Sequence, residues 1–171
     1  MDIEYVAEWY LYADRDLSIS EYLLSMHPKP IEVISFHCQQ AAEKYLKGYL
    51  IYKGIEEPPK IHNLDTLCSM CTKFDDRFPQ IIKACGVLTP YGVQPRYPTE
   101  ILITENDMEK ALEYARQIRD FEPLKELRVL IEQNDDPNFT KVTLSEAASI
   151  DAGLAEIACG NTVSHDDINW D

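Results

Sequence analysis

Apolar side chains in the first fifty residues recur three and four positions apart, which is the spacing of one face of an α-helix. This pattern predicts a first helix from about Ile3 to Met26 and a second from about Ile31 to Lys53. Prolines separate them and Gly54 follows the second, as expected at helix ends. Because the connection is short, the two long helices should pack antiparallel. The apolar positions are Ile3, Val6, Tyr10, Ala13 and Leu17, then Ile34, Cys38, Ala42, Tyr45, Tyr49 and Tyr52.

Shorter helical patterns follow the second helix. Asn63 can cap a third helix, and a fourth is predicted from Pro79 to Cys85, ending at Gly86. The stretch 88–103 contains three prolines and a glycine and is predicted to be loop. A capping-box pattern at Thr104–Asp107 then opens a closing long helix. The sequence therefore predicts an all-α, up-and-down helical bundle of two long antiparallel helices, two short helices and one closing long helix.

The character of the chain changes after Phe121. Residues 122–171 hold 11 Asp or Glu against 3 Lys or Arg, a net charge of −8 out of −14 for the chain. Pro123 interrupts the closing helix or starts a new one, and Leu124, Leu127 and Ile131 form a brief apolar stripe. A second capping-box pattern predicts a helix from about residue 143 to 159. We therefore expect residues 1–121 to form the bundle and residues 122–171 a helical or irregular acidic extension.

Composition narrows the class of protein. No apolar run approaches the roughly 18 residues of a membrane span, and the acidic N-terminus does not resemble a signal peptide. A net charge of −14 opposes non-specific binding to DNA. Five irregularly spaced cysteines favour a reducing, cytoplasmic location. Cys68 and Cys71 form a lone C-x-x-C without further ligands at zinc spacing, so buried helical cysteines are expected rather than a metal site, and no cofactor is predicted.

The second helix carries a polar arc about 120° wide opposite its apolar face. Glu43 and Lys47 in this arc are spaced for a favourable i,i+4 ion pair. The arc is either a solvated face with a salt bridge or a lining of donors and acceptors beside a groove. Its members are His37, Gln40, Glu43, Lys44 and Lys47.

The loop after Leu88 is the second candidate region. Arg96 is suited to clamp a phosphate, and Tyr91 and Tyr97 are suited to stack on a base. The alternative is a loop pinned onto the bundle by two aromatic rings. His62, just before the third helix, is either a site residue or a residue that caps the helix or packs against it.

These blocks together resemble the HEPN (higher eukaryotes and prokaryotes nucleotide-binding) family. The resemblance rests on F-H-C-Q-Q-A-A-E-K-Y-L-K-G at 36–48, P-P-K-I-H-N-L at 58–64, L-T-P-Y at 88–91, R-Y-P at 96–98 and A-L-E-Y-A at 111–115. It implies a helical bundle that forms a homodimer, binds a nucleotide or RNA, and partners a small nucleotidyltransferase in a toxin–antitoxin-type pair.

Many members of that family are metal-independent ribonucleases with Arg, four to six residues, then His. In this chain Ile101, Leu102 and Ile103 stand where that histidine would follow Arg96. The sequence therefore leans against an enzyme. A ribonuclease with a divergent site, using His37 or His62, and a non-catalytic interaction module remain the alternatives. Residues 149–167 also resemble, more weakly, the toxin-binding end of small bacterial antitoxins.

Overall fold

The computed structural model of the chain describes residues 3–93 and 103–135. These ranges are all-helical, with six α-helices and single 3₁₀ turns at Phe78–Ile81 and Thr89–Gly92. Within them, no helix is long and apolar enough to cross a membrane. The helices are α1 (Ile3–Leu23), α2 (Ile31–Tyr52), α3 (Leu64–Thr72), α4 (Ile82–Leu88), α5 (Glu105–Arg119) and α6 (Glu122–Asp135).

The two long helices pack antiparallel, as predicted. Near the start of α1, the Tyr10 ring meets the Tyr45 ring of α2 edge-on at 5.5 Å. Further along α1, Asp16 reaches back to His37 near the start of α2. The predicted core positions Val6, Ala13 and Leu17 of α1 and Ile34, Cys38, Ala42, Tyr45 and Tyr49 of α2 are all buried.

Helix α2 is the central element, because α1, α3, α4 and α5 all pack against it. It approaches α1 closely at Gly48, where a Cβ would lie 2.9 Å from the Tyr10 ring and 3.2 Å from Trp9 Cβ. Surrounded in this way, α2 buries polar as well as apolar side chains, including Ser35, Gln39, Glu43 and Lys47.

Helix ends follow local chemistry with two departures from prediction. Asn63 caps α3 by accepting from Thr66 N–H at 2.8 Å, the Thr104–Asp107 capping box opens α5, and Gly54 after α2 adopts φ 95°. However, α1 ends at Leu23 rather than Met26, and α4 runs through Gly86 to Leu88. Gly86 has ordinary helical backbone, and its missing Cβ leaves room for Asp65, whose Oδ1 would lie 3.2 Å from that atom.

Helix α6 belongs to the bundle, although the sequence placed it in the C-terminal extension. Leu124 and Leu127 are 0% and 1% exposed, and Tyr10 donates to the Leu124 carbonyl at 3.4 Å. Arg128 holds Asp14 of α1 through two hydrogen bonds of 2.6 and 2.8 Å. The first compact unit of the chain runs to Gln133 rather than residue 121. The helix predicted from residue 143 and the antitoxin-like segment lie outside the described residues.

The cysteines of the described chain are core residues, as predicted. Cys38, Cys68, Cys71 and Cys85 are free thiols with no exposed surface. Cys68 donates to the Phe78 carbonyl at 3.3 Å and Cys71 to the Leu46 carbonyl at 3.8 Å, so the C-x-x-C pair joins α3 to the following turn and to α2. Burial raises the pKa of Cys38 to about 12, which makes it a poor nucleophile.

Candidate functional site

A buried carboxylate, Glu43 on α2, gathers three donors around it. Lys47 Nζ lies 2.8 Å from Oε1, His62 Nδ1 lies 3.0 Å from the same oxygen, and Gln39 Nε2 donates to Oε2 at 3.0 Å. Glu43 and Lys47 side chains are only 8% and 7% exposed, whereas the His62 ring is 66% exposed. The arrangement therefore presents one imidazole to solvent, anchored from beneath by an ion pair.

The position of His62 is fixed from both sides. The Gln39 amide also donates to the His62 carbonyl at 3.2 Å, and the next residue, Asn63, caps α3. With Nδ1 directed at Glu43, the other ring nitrogen faces away from the carboxylate. An imidazole oriented in this way by a carboxylate is suited to hydrogen bonding or to proton exchange with a ligand.

Electrostatics keep Glu43 ionised. Burial alone would raise its pKa, but hydrogen bonds from Lys47, Gln39 and His62 and the charge of Lys47 outweigh burial and hold the pKa below the ordinary glutamate value. Because the carboxylate is charged and bound on several sides, Glu43 acts as an anchor for its neighbours.

A second polar group lies beside this one, between α1 and α2. Asp16 accepts from His37 Nδ1 at 2.9 Å and forms an ion pair with Lys44 Nζ. Gln40 connects the two groups, since its amide donates to Gln39 Oε1 at 2.7 Å and its carbonyl accepts from Lys44 at 3.4 Å. We call the resulting chain of contacts the α2 polar network; its members are Asp16, His37, Gln39, Gln40, Glu43, Lys44, Lys47 and His62.

All five residues of the predicted polar arc lie in the α2 polar network, together with His62. The arc is not simply a solvated face, because Glu43 and Lys47 are buried and only its flanks at His37, Gln40 and Lys44 are partly exposed. A helical wheel of α2 cannot show this, since the cover comes from the segment before α3 and from the turn after α4.

Sequence reasoning missed two members of the network. Gln39 stands next to Gln40 in the block that carries the family resemblance, so that resemblance was the available signal. Asp16 lies beside Leu17 on α1, and no spacing in the sequence links it to residues 21 and 28 positions away.

The predicted loop site is described only as far as Val93. Tyr91 lies in the second 3₁₀ turn, partly buried against the core, and burial raises its pKa. Gly92 packs directly on the network, since a Cβ there would lie 2.9 Å from Gln39 Cδ. Arg96 and Tyr97 lie outside the described residues.

The described residues offer no cluster of metal ligands. Across residues 3–93 and 103–135, no three His, Cys, Asp or Glu side chains are grouped to hold a metal ion. The histidines of the α2 polar network instead pair with carboxylates, through Nδ1 in both cases.

These features define an all-helical bundle whose central helix carries a polar network ending in an exposed histidine. The chain belongs to the HEPN family: the HEPN domain model matches residues 6–127. Among solved structures, the crystal structure of TT1696 from Thermus thermophilus shares the fold, with a TM-score of 0.61 and 24% identity over 71% of this chain and 97% of that one. The crystal structure of ST0689, described as an archaeal HEPN homologue, is similar with a TM-score of 0.54 and 26% identity over 74% and 97%. No curated protein matches the chain in sequence.

Proposed function

We propose that this HEPN protein binds a nucleotide or RNA and acts, as a homodimer, as the partner of a small nucleotidyltransferase in a toxin–antitoxin-type system. The observation that carries the binding proposal is His62, an exposed imidazole held at 3.0 Å by the buried, ionised Glu43. A polar group that buried residues hold rigidly at the surface is typical of a recognition site. Burying the charged residues that hold it costs free energy, and a binding function accounts for that cost.

Phosphate recognition in this proposal is assigned chiefly to Arg96. In an acidic molecule a phosphate needs a local cation, and Lys47 is largely buried and already paired with Glu43. Arg96 follows Gly92, which packs on Gln39, by four positions in the chain. Lys47 then neutralises Glu43 beneath the site, so that the carboxylate does not repel the phosphate. His62 and Gln40 offer hydrogen bonds, and Tyr91 or Tyr97 stacks on the base.

Calorimetric titration with nucleoside phosphates and short RNA, at two salt concentrations, tests the proposal. A charge-assisted contact is worth about 1.5–3 kcal/mol, so Arg96→Ala is expected to weaken binding about ten- to a hundredfold. Arg96→Lys loses much of the affinity because the bidentate fork is gone. His62→Ala weakens binding at both salt concentrations, whereas the exposed Lys125→Ala serves as the matched control.

Unchanged affinity in both Arg96→Ala and His62→Ala would contradict the proposed site. Co-expression with a nucleotidyltransferase encoded by a neighbouring gene, followed by co-purification, tests the partner separately. If the protein binds RNA but forms no stable complex with that enzyme, the ligand proposal stands and the partner proposal is wrong.

A metal-independent ribonuclease with a divergent site is the second candidate, and the His62–Glu43 pair favours it. A carboxylate that orients an imidazole is the arrangement of a general base able to activate a 2′-hydroxyl. A fluorogenic RNA assay in excess EDTA should then show cleavage that His62→Ala abolishes and His27→Ala, at an exposed histidine outside the network, retains. Binding without cleavage would leave the first proposal alone.

A further inference from the structure

The outer face of α1 is apolar where a surface helix would be polar. Tyr5, Tyr12 and Ile19 recur every seven residues with 37%, 53% and 42% of their surface exposed, and Tyr22 beside them is 75% exposed. The core-facing positions of the same helix, such as Val6 and Ala13, are fully buried. A helix with apolar residues on two faces and a seven-residue spacing on the outer one is suited to pair with another helix.

A groove opens in this face. It has a volume of about 230 Å³ and is lined by four α1 residues, Tyr5, Glu8, Trp9 and Tyr12, together with Lys44 of α2. The four α1 positions are i, i+3, i+4 and i+7, which is the diamond that accepts one side chain of a facing helix in knobs-into-holes packing. Lys44 is already paired with Asp16, so Glu8 supplies the carboxylate that an incoming cation would meet.

When the α1 faces of two copies of the chain meet, Glu8 and Arg15 are complementary in only one relative orientation of the helices. Arg15 is the only Lys or Arg in α1 and lies seven residues after Glu8 on the same face. In a parallel pair of α1 helices Glu8 would face Glu8 and Arg15 would face Arg15. In an antiparallel pair whose axis passes between Leu11 and Tyr12, each Glu8 faces the other copy's Arg15, and each Tyr5 lies within one residue of the level of the other copy's Ile19.

We propose that α1 pairs antiparallel with α1 of a second copy of the chain, about a two-fold axis near Tyr12. Arg15 of each copy enters the other copy's groove, with its guanidinium against Trp9 and Tyr12 and beside Glu8. The Tyr12 ring already accepts this group, since Arg15 of the same chain lies 5.3 Å from its centroid, and such cation–π contacts strengthen on desolvation. This inference rests on the homodimer in the proposed function and adds the face that forms it.

A charge exchange in the full-length chain tests the pairing by sedimentation velocity over a range of concentrations. E8R and R15E each place like charges across the axis and are expected to raise the dissociation constant about tenfold or more. The double variant E8R/R15E restores opposite charges and returns the constant toward that of the unmodified protein. K83E, on the exposed part of α4, is the control for a change of net charge.

Cysteine cross-linking gives a second, independent measurement. In a Cys159→Ser background, Tyr12→Cys brings two thiols together at the axis and yields a disulfide-linked dimer on oxidation, whereas Lys83→Cys does not. The inference would be overturned if the protein is a monomer, or if neither E8R nor R15E changes the dissociation constant of the dimer. It would also be overturned if the single variants weaken the dimer and E8R/R15E does not restore it. Ligand binding at His62 is measured separately, so a dimer formed through another face would leave the nucleotide proposal standing.

Discussion

Glu43 is a carboxylate inside a helical bundle, and its environment makes bundle stability depend on pH. Its pKa is lower in the folded chain than in an unfolded one. The stabilisation is therefore complete above the ordinary glutamate pKa of about 4.3 and is lost as the pH falls through that value toward the folded pKa. The ion pair between Glu43 and Lys47 is therefore sensitive to acid.

Glu43→Gln keeps the shape of the side chain and leaves the Lys47 ammonium buried without its counterion. At pH 7 it should lower the free energy of unfolding by roughly 3 kcal/mol, the usual effect of breaking a buried pair. The difference from the unmodified protein should shrink as the pH falls below about 4.3, because the carboxyl of the unfolded chain then takes up a proton, and it should vanish below the lower folded pKa, where the native carboxyl is protonated too. Urea denaturation across this pH range measures both effects. Glu57→Gln, at an exposed glutamate, is the control, and a pH-independent difference would contradict the argument.

Gly92 links the turn after α4 to the α2 polar network. Its replacement by alanine puts a methyl group 2.9 Å from Gln39 Cδ, so the Gln39 amide must shift, which strains its hydrogen bonds to Glu43 and the His62 carbonyl. We expect Gly92→Ala to cost about 1–3 kcal/mol of unfolding free energy. The loss should be much smaller in a Gln39→Ala background, where the clash is removed. Equal losses in both backgrounds would show that the turn itself is strained.

Residue identities in the site were predictable from the sequence to the extent that they share one helix. His37, Gln40, Glu43, Lys44 and Lys47 could be grouped by angle around α2 alone. Their burial and their partners depend on other elements, because Asp16 arrives from α1 and the cover from the segment before α3. Periodicity reports which residues share a face, but it does not report what packs against that face.

At the scale of elements, the helices were predictable because their ends are set locally. Asn63, Thr104 and Gly54 act through short-range hydrogen bonds and backbone conformation, and the structure confirms each of them. The sequence placed Leu124, Leu127 and Ile131 in the extension because the chain becomes strongly acidic after Phe121, whereas the first compact unit runs to Gln133. A proline in the first turn of a helix is well tolerated, and the buried residues Leu124 and Leu127 show that α6 packs into the bundle.

The place of α6 in the bundle gives a truncation test. A chain ending at Asp135 keeps α6, whereas one ending at Phe121 lacks it. In the shorter chain the core surface that Leu124, Leu127 and Ile131 cover is exposed, and Asp14 loses its hydrogen bonds from Arg128. Burying three such apolar side chains is worth on the order of 5 kcal/mol, so the shorter chain should lose cooperative thermal unfolding or melt far lower. Circular dichroism and calorimetry on the two chains decide it. Equal melting temperatures would mean that α6 adds nothing to the bundle.

For the whole molecule, charge limits how ligands can bind. The net charge is −14, so the RNA binding proposed above would depend on a few fixed cations and not on a general basic surface. A shallow dependence of affinity on salt follows, since few phosphates are neutralised.

The family match over residues 6–127 agrees with the bundle that ends at Gln133. The division at residue 121 came from composition, and the composition of the chain changes earlier than the packing does.

Chemical labelling of the four buried cysteines measures how readily the helices of the bundle separate. They lie on α2, α3 and α4, and a thiol reagent reaches each one only when the helices around it separate. The order in which Cys38, Cys68, Cys71 and Cys85 are labelled therefore ranks the local stabilities of these helices. Since α2 is enclosed by α1, α3, α4 and α5, Cys38 becomes accessible only in openings that part the central helix from its neighbours. Without any engineered cysteine, its labelling rate separates fraying at the edges from opening of the whole core.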